Sequence, residues 1–158
     1  MNVWKELEAC VTTRSPDETR ALGERIAREL PPDAVIALEG DLGVGKTTLV
    51  QGIARGLGIE RHVTSPTFTL YSVYHGSRTL VHLDAYRLDG EASAEELLIE
   101  DFLKPPYCLV IEWPSQIAGW LPRQTRSLEL SILEPGVHRI RSCDSPGFPR
   151  RGDVSQPA

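Results

Sequence analysis

The hydrophobic pattern near the N-terminus predicts an amphipathic helix. Ser15 is a typical N-cap residue, Pro16 follows at the first helical position, and Glu18 completes a capping box. Apolar side chains then recur at helical spacing, at Leu22, Ile26, Ala27 and Leu30. We expect the helix to stop before Pro31 and Pro32, because proline cannot continue the hydrogen bonding of a helix.

Two continuous apolar runs, residues 34–38 and 108–111, predict strands that are buried on both faces. The first run leads into a glycine-rich stretch from Gly40 to Gly45. A second helix follows, and its apolar side carries Leu49, Val50, Ile53, Ala54 and Leu57. This order of strand, loop, helix and second buried strand predicts an α/β fold, with three layers around a mainly parallel sheet.

Apolar segments on either side of turn residues predict two β-hairpins added to this sheet. One spans residues 67–83 and the other spans residues 127–142. Between them, residues 92–102 predict a helix that ends before two consecutive prolines. We expect this helix to bury three side chains, those of Leu97, Leu98 and Phe102.

The C-terminal segment differs in composition from the rest of the chain. From Cys143 onward, proline and glycine are frequent and apolar side chains are almost absent. The length of 158 residues suits one domain better than two. We therefore predict one folded domain at residues 1–142 and a disordered tail at residues 143–158.

Composition and charge narrow the classes of protein that fit. The chain is 41% hydrophobic and 25% charged, which excludes a wholly disordered protein. The net charge of -5 weighs against a protein that grips nucleic acid alone. No apolar run approaches the roughly 18–20 residues that span a bilayer, and the N-terminus does not resemble a signal peptide. Three cysteines without a C-x-x-C pair favour the reducing cytoplasm, and we expect no contact with a membrane.

The glycine-rich stretch carries the first chemistry. Residues 40–47 match the full G-x-x-x-x-G-K-[ST] pattern, between a buried strand and an amphipathic helix. Its glycines let several backbone N–H groups point at one anion, and the start of the helix adds partial positive charge. The Lys46 ammonium is expected to reach the β- and γ-phosphates, and the Thr47 hydroxyl to ligate Mg²⁺.

A phosphate loop that hydrolyses nucleotide also needs a carboxylate near the metal. Glu112 directly follows one buried strand, and Asp84 ends the segment of residues 80–83. Either acid can bind Mg²⁺ or orient the attacking water, so both are candidates. His82 alternates with Asp84 along the strand, and we interpret it as a hydrogen-bonded histidine on a half-buried strand.

The nucleotide and the class of reaction are less tightly defined by these residues. The N-K-x-D loop of many guanine-specific proteins is absent, since Asn2 is the chain's one asparagine, and this favours adenine. A small-molecule kinase is the alternative class, but the segment from Ala92 to Gln124 offers only Lys104 and Arg123 for a basic lid. A non-enzymatic switch controlled by ATP also fits the sequence.

Four motifs now occur in a specific order: Gly40–Thr48, Ser65–Leu70, His82–Leu88 and Ile111–Trp113. Together they are similar to the bacterial tRNA threonylcarbamoyladenosine biosynthesis ATPases, the TsaE family. The resemblance extends from around Ser15 to Arg141 and leaves out the tail. It implies a phosphate-loop ATPase domain that uses ATP and Mg²⁺. It also implies partner proteins that attach threonylcarbamoyl to adenosine 37 of tRNAs reading codons that begin with A.

The resemblance implies a role for each matching residue. The phosphates are expected to contact Gly43, Val44, Gly45, Lys46, Thr47 and Thr48. Thr47 and Glu112 are expected to hold Mg²⁺, while Asp84 and Lys46 act in catalysis. The segment 65–67 resembles a switch near the γ-phosphate, and Trp113 is expected beside the site. Contacts to tRNA are expected to come indirectly, through the threonylcarbamoyl-transferase complex.

Overall fold

The computed structural model describes residues 2–66 and 69–143 of the chain. Its strands are β1 (Val11–Thr13), β2 (Asp33–Glu39), β3 (Tyr71–His75), β4 (Thr79–Asp84), β5 (Tyr107–Glu112), β6 (Arg126–Glu134) and β7 (Val137–Ser142). Its helices are α1 (Val3–Ala9), α2 (Pro16–Arg28), α3 (Lys46–Gly56) and α4 (Glu91–Glu96), with 3₁₀ segments at Ile99–Phe102 and Pro114–Trp120. Within these two ranges, no helix is long and apolar enough to cross a membrane.

The seven strands of the described ranges form one mixed sheet, in the spatial order β1-β7-β6-β2-β5-β4-β3. The central pairings, β6 with β2, β2 with β5 and β5 with β4, are parallel. The two predicted hairpins, β3–β4 and β6–β7, are confirmed and are antiparallel, as is the edge pairing of β1 with β7. The expectation of a mainly parallel sheet therefore holds for its centre, while the hairpins make the whole sheet mixed.

Alternate side chains of the central strands belong to two separate hydrophobic clusters. On β2, Ala34, Ile36 and Leu38 join a cluster with the buried residues of α1, α2 and α3. Val35, between them, joins a second cluster that includes Ala94 of α4. Because successive side chains of a strand point to opposite faces, the two clusters cover the two faces of the sheet. The continuous apolar runs that predicted β2 and β5 follow from this double burial.

Helices α2 and α3 approach closely enough that only glycine fits at the contact. A Cβ atom added to Gly52 of α3 would lie 2.2 Å from the backbone oxygen of Arg20, and one added to Gly23 of α2 would lie 2.5 Å from that of Leu49. The N-terminus of α2 forms as predicted, since Ser15 Oγ accepts a hydrogen bond from the N–H of Glu18. The close contact between α2 and α3 fixes α3, and therefore its N-terminus, against the rest of the domain.

The helix predicted over residues 92–102 is wrong in its second half. α4 ends at Glu96, and Leu98 adopts a left-handed backbone with φ of 53° before a 3₁₀ segment begins. Leu98 and Phe102, predicted to be buried, are 62% and 39% exposed. Ala94 and Ile99 are buried in their place. The break at Leu98 rotates the chain, so side chains beyond it no longer follow the helical spacing.

Other parts of the chain lie outside the sequence predictions or outside the described residues. The hydrophobic pattern of the sequence predicted neither α1 nor β1. Helix α1 is capped by Asn2 and buries Val3 and Leu7. Of the predicted tail at residues 143–158, only Cys143 is described, and its N–H bonds to the Ser127 oxygen. Residues 67 and 68 of the first predicted hairpin also lie outside the described ranges.

Candidate functional site

A cavity of about 520 Å³ opens at the carboxyl ends of the central parallel strands. Asp84 and Glu112, the last residues of β4 and β5, lie in its wall. In open α/β sheets, ligands bind in crevices outside the carboxyl ends of the strands. The predicted phosphate loop contributes six residues to the lining: Leu42, Gly43, Gly45, Lys46, Thr47 and Thr48. Both the position and the volume therefore fit a small-molecule site.

The loop between β2 and α3 has a backbone that depends on glycine. Gly40, Gly43 and Gly45 adopt φ values of 148°, 81° and 100°, which side chains with a Cβ rarely allow. Gly45 is the N-cap of α3, and no described side chain caps the first N–H groups of that helix. Those N–H groups, with the helix dipole, provide a site for an anion. Val44, predicted with the loop residues, buries its side chain in the core.

Lys46 is held inside the loop by a backbone carbonyl and an aromatic ring. The residue is only 5% exposed, and its Nζ donates a hydrogen bond of 2.6 Å to the backbone oxygen of Gly40. The ammonium also lies 4.1 Å from the centre of the Trp113 ring, within the range of a cation–π interaction. Burial lowers the pKa of Lys46, and this is opposed by the negative charges of Glu112 and Asp84.

The two candidate acids lie side by side because their strands pair in register. Asp84 is directly opposite Glu112 in the parallel pairing of β4 with β5. Glu112 is buried, and its Oε2 lies 3.0 Å from Nε2 of His82. Asp84 is partly exposed and accepts a hydrogen bond of 3.0 Å from the N–H of Tyr86. His82 is hydrogen-bonded as interpreted, but its strand is mostly buried rather than half-buried, and His82 itself is completely buried.

The donor set in this cavity suits a hard cation shared with a ligand. Thr47, Asp84 and Glu112 supply hydroxyl and carboxylate oxygens to one space. Among the described residues, no group of three or more His, Cys, Asp or Glu is arranged to hold a metal by itself. Mg²⁺ typically binds through one or two carboxylates, waters and phosphate oxygens, rather than in a cage made by the protein alone. The residues present therefore fit Mg²⁺ held together with a nucleotide.

Aromatic and polar side chains complete the rim of the cavity. Trp113 follows Glu112 with a left-handed φ of 58°, and its ring centre lies 5.1 Å from that of the exposed Tyr86. Ser65 and Arg87 also line the cavity. Of the predicted switch segment at residues 65–67, Ser65 and Pro66 are described, whereas Thr67 lies outside the described residues.

One contact to the loop has no signal in the sequence. Nδ1 of His138, on β7, lies 2.7 Å from the backbone oxygen of Val44, a residue 94 positions earlier. No spacing or motif links the two residues, because only the sheet order brings β7 near the loop. The contact can be predicted only when the pairing of the last hairpin with β2 is already known.

A family model and two similar proteins agree on one family. Residues 13–140 match the family model described as threonylcarbamoyl adenosine biosynthesis protein TsaE. The tRNA threonylcarbamoyladenosine biosynthesis protein TsaE of Treponema pallidum is 40% identical over 131 residues, which cover 83% of this chain and 96% of the relative. The protein of the same description from Bacillus subtilis is 41% identical over 125 residues, covering 78% of this chain and 77% of the relative.

A solved structure has a similar fold. The crystal structure of Bacillus subtilis YdiB superposes with a TM-score of 0.69 and 34% sequence identity, covering 83% of this chain and 81% of that one. The family model covers well over half of the chain, and several relatives exceed 30% identity over most of their length. The resemblance inferred from the four motifs is thereby confirmed: this chain belongs to the TsaE family.

Proposed function

We propose that this chain is the ATP-binding and ATP-hydrolysing component of tRNA threonylcarbamoyladenosine biosynthesis. It would act in the cytoplasm with the proteins that attach threonylcarbamoyl to adenosine 37 of tRNAs reading codons that begin with A. The assignment to this pathway is supported by membership of the TsaE family. The observation that carries the ATPase assignment is one cavity lined by the phosphate loop, by Lys46 and by two strand-end acids.

The proposed mechanism begins with the phosphates. The loop residues Gly43 to Thr48 would hold them through backbone N–H groups, in a phosphate-loop NTPase-like domain whose helices cover both faces of the sheet. Lys46 has three N–H donors, one of which is engaged with Gly40, so two remain for phosphate oxygens. This arrangement would place positive charge where negative charge develops during hydrolysis.

The acids would divide the remaining work. Thr47 and Glu112 would hold Mg²⁺, which when bound neutralises charge on the β- and γ-phosphates. Asp84 is more exposed than Glu112 and lies beside it, so it is the better placed of the two to orient an attacking water. Nε2 of the fully buried His82 lies 3.0 Å from the Glu112 carboxylate and would fix its orientation.

Dependence on partners is part of the proposal. Arg87 is the one arginine among the described residues that line the cavity. Its neighbour Asp84 is tied to the backbone of Tyr86, which favours a fixed rather than a mobile position for this segment. Charge supplied in trans increases rates by about 10³–10⁵ in the phosphoryl-transfer enzymes that use it. Hydrolysis by the isolated chain would therefore be slow, and the net charge of -5 leaves most tRNA contacts to the partners.

The test is steady-state ATP hydrolysis by the purified chain, alone and with the threonylcarbamoyl-transfer proteins and tRNA. Modified nucleoside is measured by mass spectrometry in the same reactions, with Lys46→Ala as the control variant. We expect slow basal turnover, clear stimulation by the partners, and loss of both activities in Lys46→Ala. Fast hydrolysis that ignores the partners, or phosphate transfer to a small metabolite, would favour a kinase instead.

A further inference from the structure

His138 contacts the phosphate loop from outside the cavity. Its Nδ1 lies 2.7 Å from the backbone oxygen of Val44, and His138 is not among the residues that line the cavity. A carbonyl oxygen can only accept a hydrogen bond, so Nδ1 must carry the proton and donate it. The imidazole therefore holds the loop by a directed bond and not only by packing.

The strand that carries His138 is well fixed. β7 lies between β6 and β1, and His138 pairs with Ile132 on one side and with Thr13 on the other. A residue in the interior of a sheet has little freedom to move along the strand. The imidazole is therefore presented to the loop from a rigid base.

The consequence for the loop follows from the geometry of the peptide group. The peptide bond between Val44 and Gly45 is planar and trans, so its C=O and N–H groups point in opposite directions. Because His138 holds the Val44 oxygen on the side of β7, the Gly45 N–H is directed to the other side. Gly45 lines the cavity, and a Cβ added there would lie 3.6 Å from His138 Nδ1, so this peptide separates the ring from the cavity.

A second contact acts on the loop in the same way. Lys46 Nζ donates to the Gly40 oxygen, so two carbonyl groups of the loop are held by side-chain donors. A loop whose peptide planes are already fixed loses less conformational entropy when it binds an anion. Resting on the proposed ATP-binding function, we propose that His138 is a positioning residue: through Val44 it orients the Gly45 N–H toward the phosphates without touching the nucleotide.

The experiment compares variants that keep or lose the donor. His138→Phe keeps a ring but has no N–H, whereas His138→Asn places an amide N–H close to the position of Nδ1. His75→Phe is the matched control, since His75 is exposed at the end of β3. Affinity for Mg-ATP is measured by titration calorimetry, thermal unfolding is recorded without nucleotide, and kcat and KM are determined for ATP hydrolysis.

We expect His138→Phe to raise the Kd and KM for ATP by about three- to tenfold, the value of one ordinary hydrogen bond, with kcat changed less. His138→Asn should restore most of the affinity, and His75→Phe should bind as the parent does. A purely structural role would lower the melting temperature of both His138 variants together and would give no rescue by asparagine. If the phenylalanine variant does not fold, His138→Gln takes its place, because its amide lies one methylene further out.

Parent-like affinity in His138→Phe, or a loss that asparagine does not restore, would overturn the positioning role. If Lys46→Met loses affinity in the same assay while His138→Phe does not, only this inference fails and the proposed function stands. If the parent itself does not bind Mg-ATP, the proposed function fails and the inference fails with it.

Discussion

Replacing Lys46 with methionine removes the ammonium that holds the Gly40 oxygen and that, in the proposed function, binds the phosphates. Methionine keeps an apolar chain of similar length in a residue that is only 5% exposed, so the packing changes little. The phosphate contact that the proposed function assigns to Lys46 is a charge-assisted hydrogen bond, worth about 1.5–3 kcal/mol. Since the ammonium can keep its bond to Gly40 while it binds phosphate, little of this energy is lost to exchange of partners. The expected increase in the Kd of Mg-ATP is therefore about 10- to 150-fold.

Titration calorimetry at fixed Mg²⁺ measures this change directly. Lys104→Met is the matched control, because Lys104 is exposed and lies outside the cavity, and its Kd should equal that of the parent. Circular dichroism and thermal unfolding confirm that both variants are folded. A Lys46→Met protein that is folded and binds Mg-ATP within about twofold of the parent would refute the assignment of the loop as a phosphate site.

The lowered pKa of Lys46 gives an independent check on the same residue. Burial makes the folded protein bind this proton less tightly than the unfolded chain, whose lysine titrates near its ordinary value of 10.5. Between the two pKa values the unfolded state binds more protons, so stability rises with pH. The parent should therefore gain stability relative to Lys46→Met as the pH rises toward 10.5. Urea unfolding of both proteins across this range measures the difference, and a constant difference would contradict the burial of a charged ammonium.

Three further predictions concern the acids, the helix contact and a buried thiol. Glu112→Gln should weaken Mg²⁺-dependent ATP binding, whereas Asp84→Asn should reduce kcat more than affinity. Calorimetry measures the affinity of each variant and steady-state turnover measures its kcat. If both variants bind and hydrolyse ATP as the parent does, neither acid belongs to the site. Gly52→Ala should lower the free energy of unfolding by about 1–3 kcal/mol, measured by urea denaturation, because its Cβ has no room; an unchanged midpoint would mean that the helices separate easily. Burial raises the pKa of Cys108 to about 12, so its thiol should resist thiol reagents at pH 8 until the protein unfolds. Mass spectrometry of labelled peptides measures this, and modification of the folded protein would contradict it.

The sequence predicted the parts of the fold that depend on local patterns. The capping residues at Ser15 and Glu18 defined the start of α2, and the phosphate-loop pattern located the cavity. The helix over residues 92–102 was extended too far, because Leu98 and Phe102 suit a helix as residue types while the chain turns at Leu98. No local sequence pattern marks that turn, because the turn serves to place Ile99 in a core formed by strands that are distant along the chain.

Long-range contacts explain what the sequence missed in the site. The acids were identified separately, but their direct opposition depends on the register of β4 against β5, which neither strand encodes by itself. The tie between His82 and Glu112 spans 30 positions, and that between His138 and Val44 spans 94. Such contacts are created by the topology of the sheet and leave no fixed spacing along the chain.

The register that brings Asp84 and Glu112 together also determines which parts of the chain can change in length without moving these acids. The acids are joined through six consecutive residue pairs of two central strands, and not through the crossover of residues 85–106 that connects them along the chain. Insertions or deletions well inside that crossover would leave the spacing of the two carboxylates intact. A shift of one residue within β4 would instead send Asp84 to the opposite face of the sheet. Changes in length are therefore compatible with the site when they fall well inside the crossover, and incompatible with it when they fall within the strands that carry the acids.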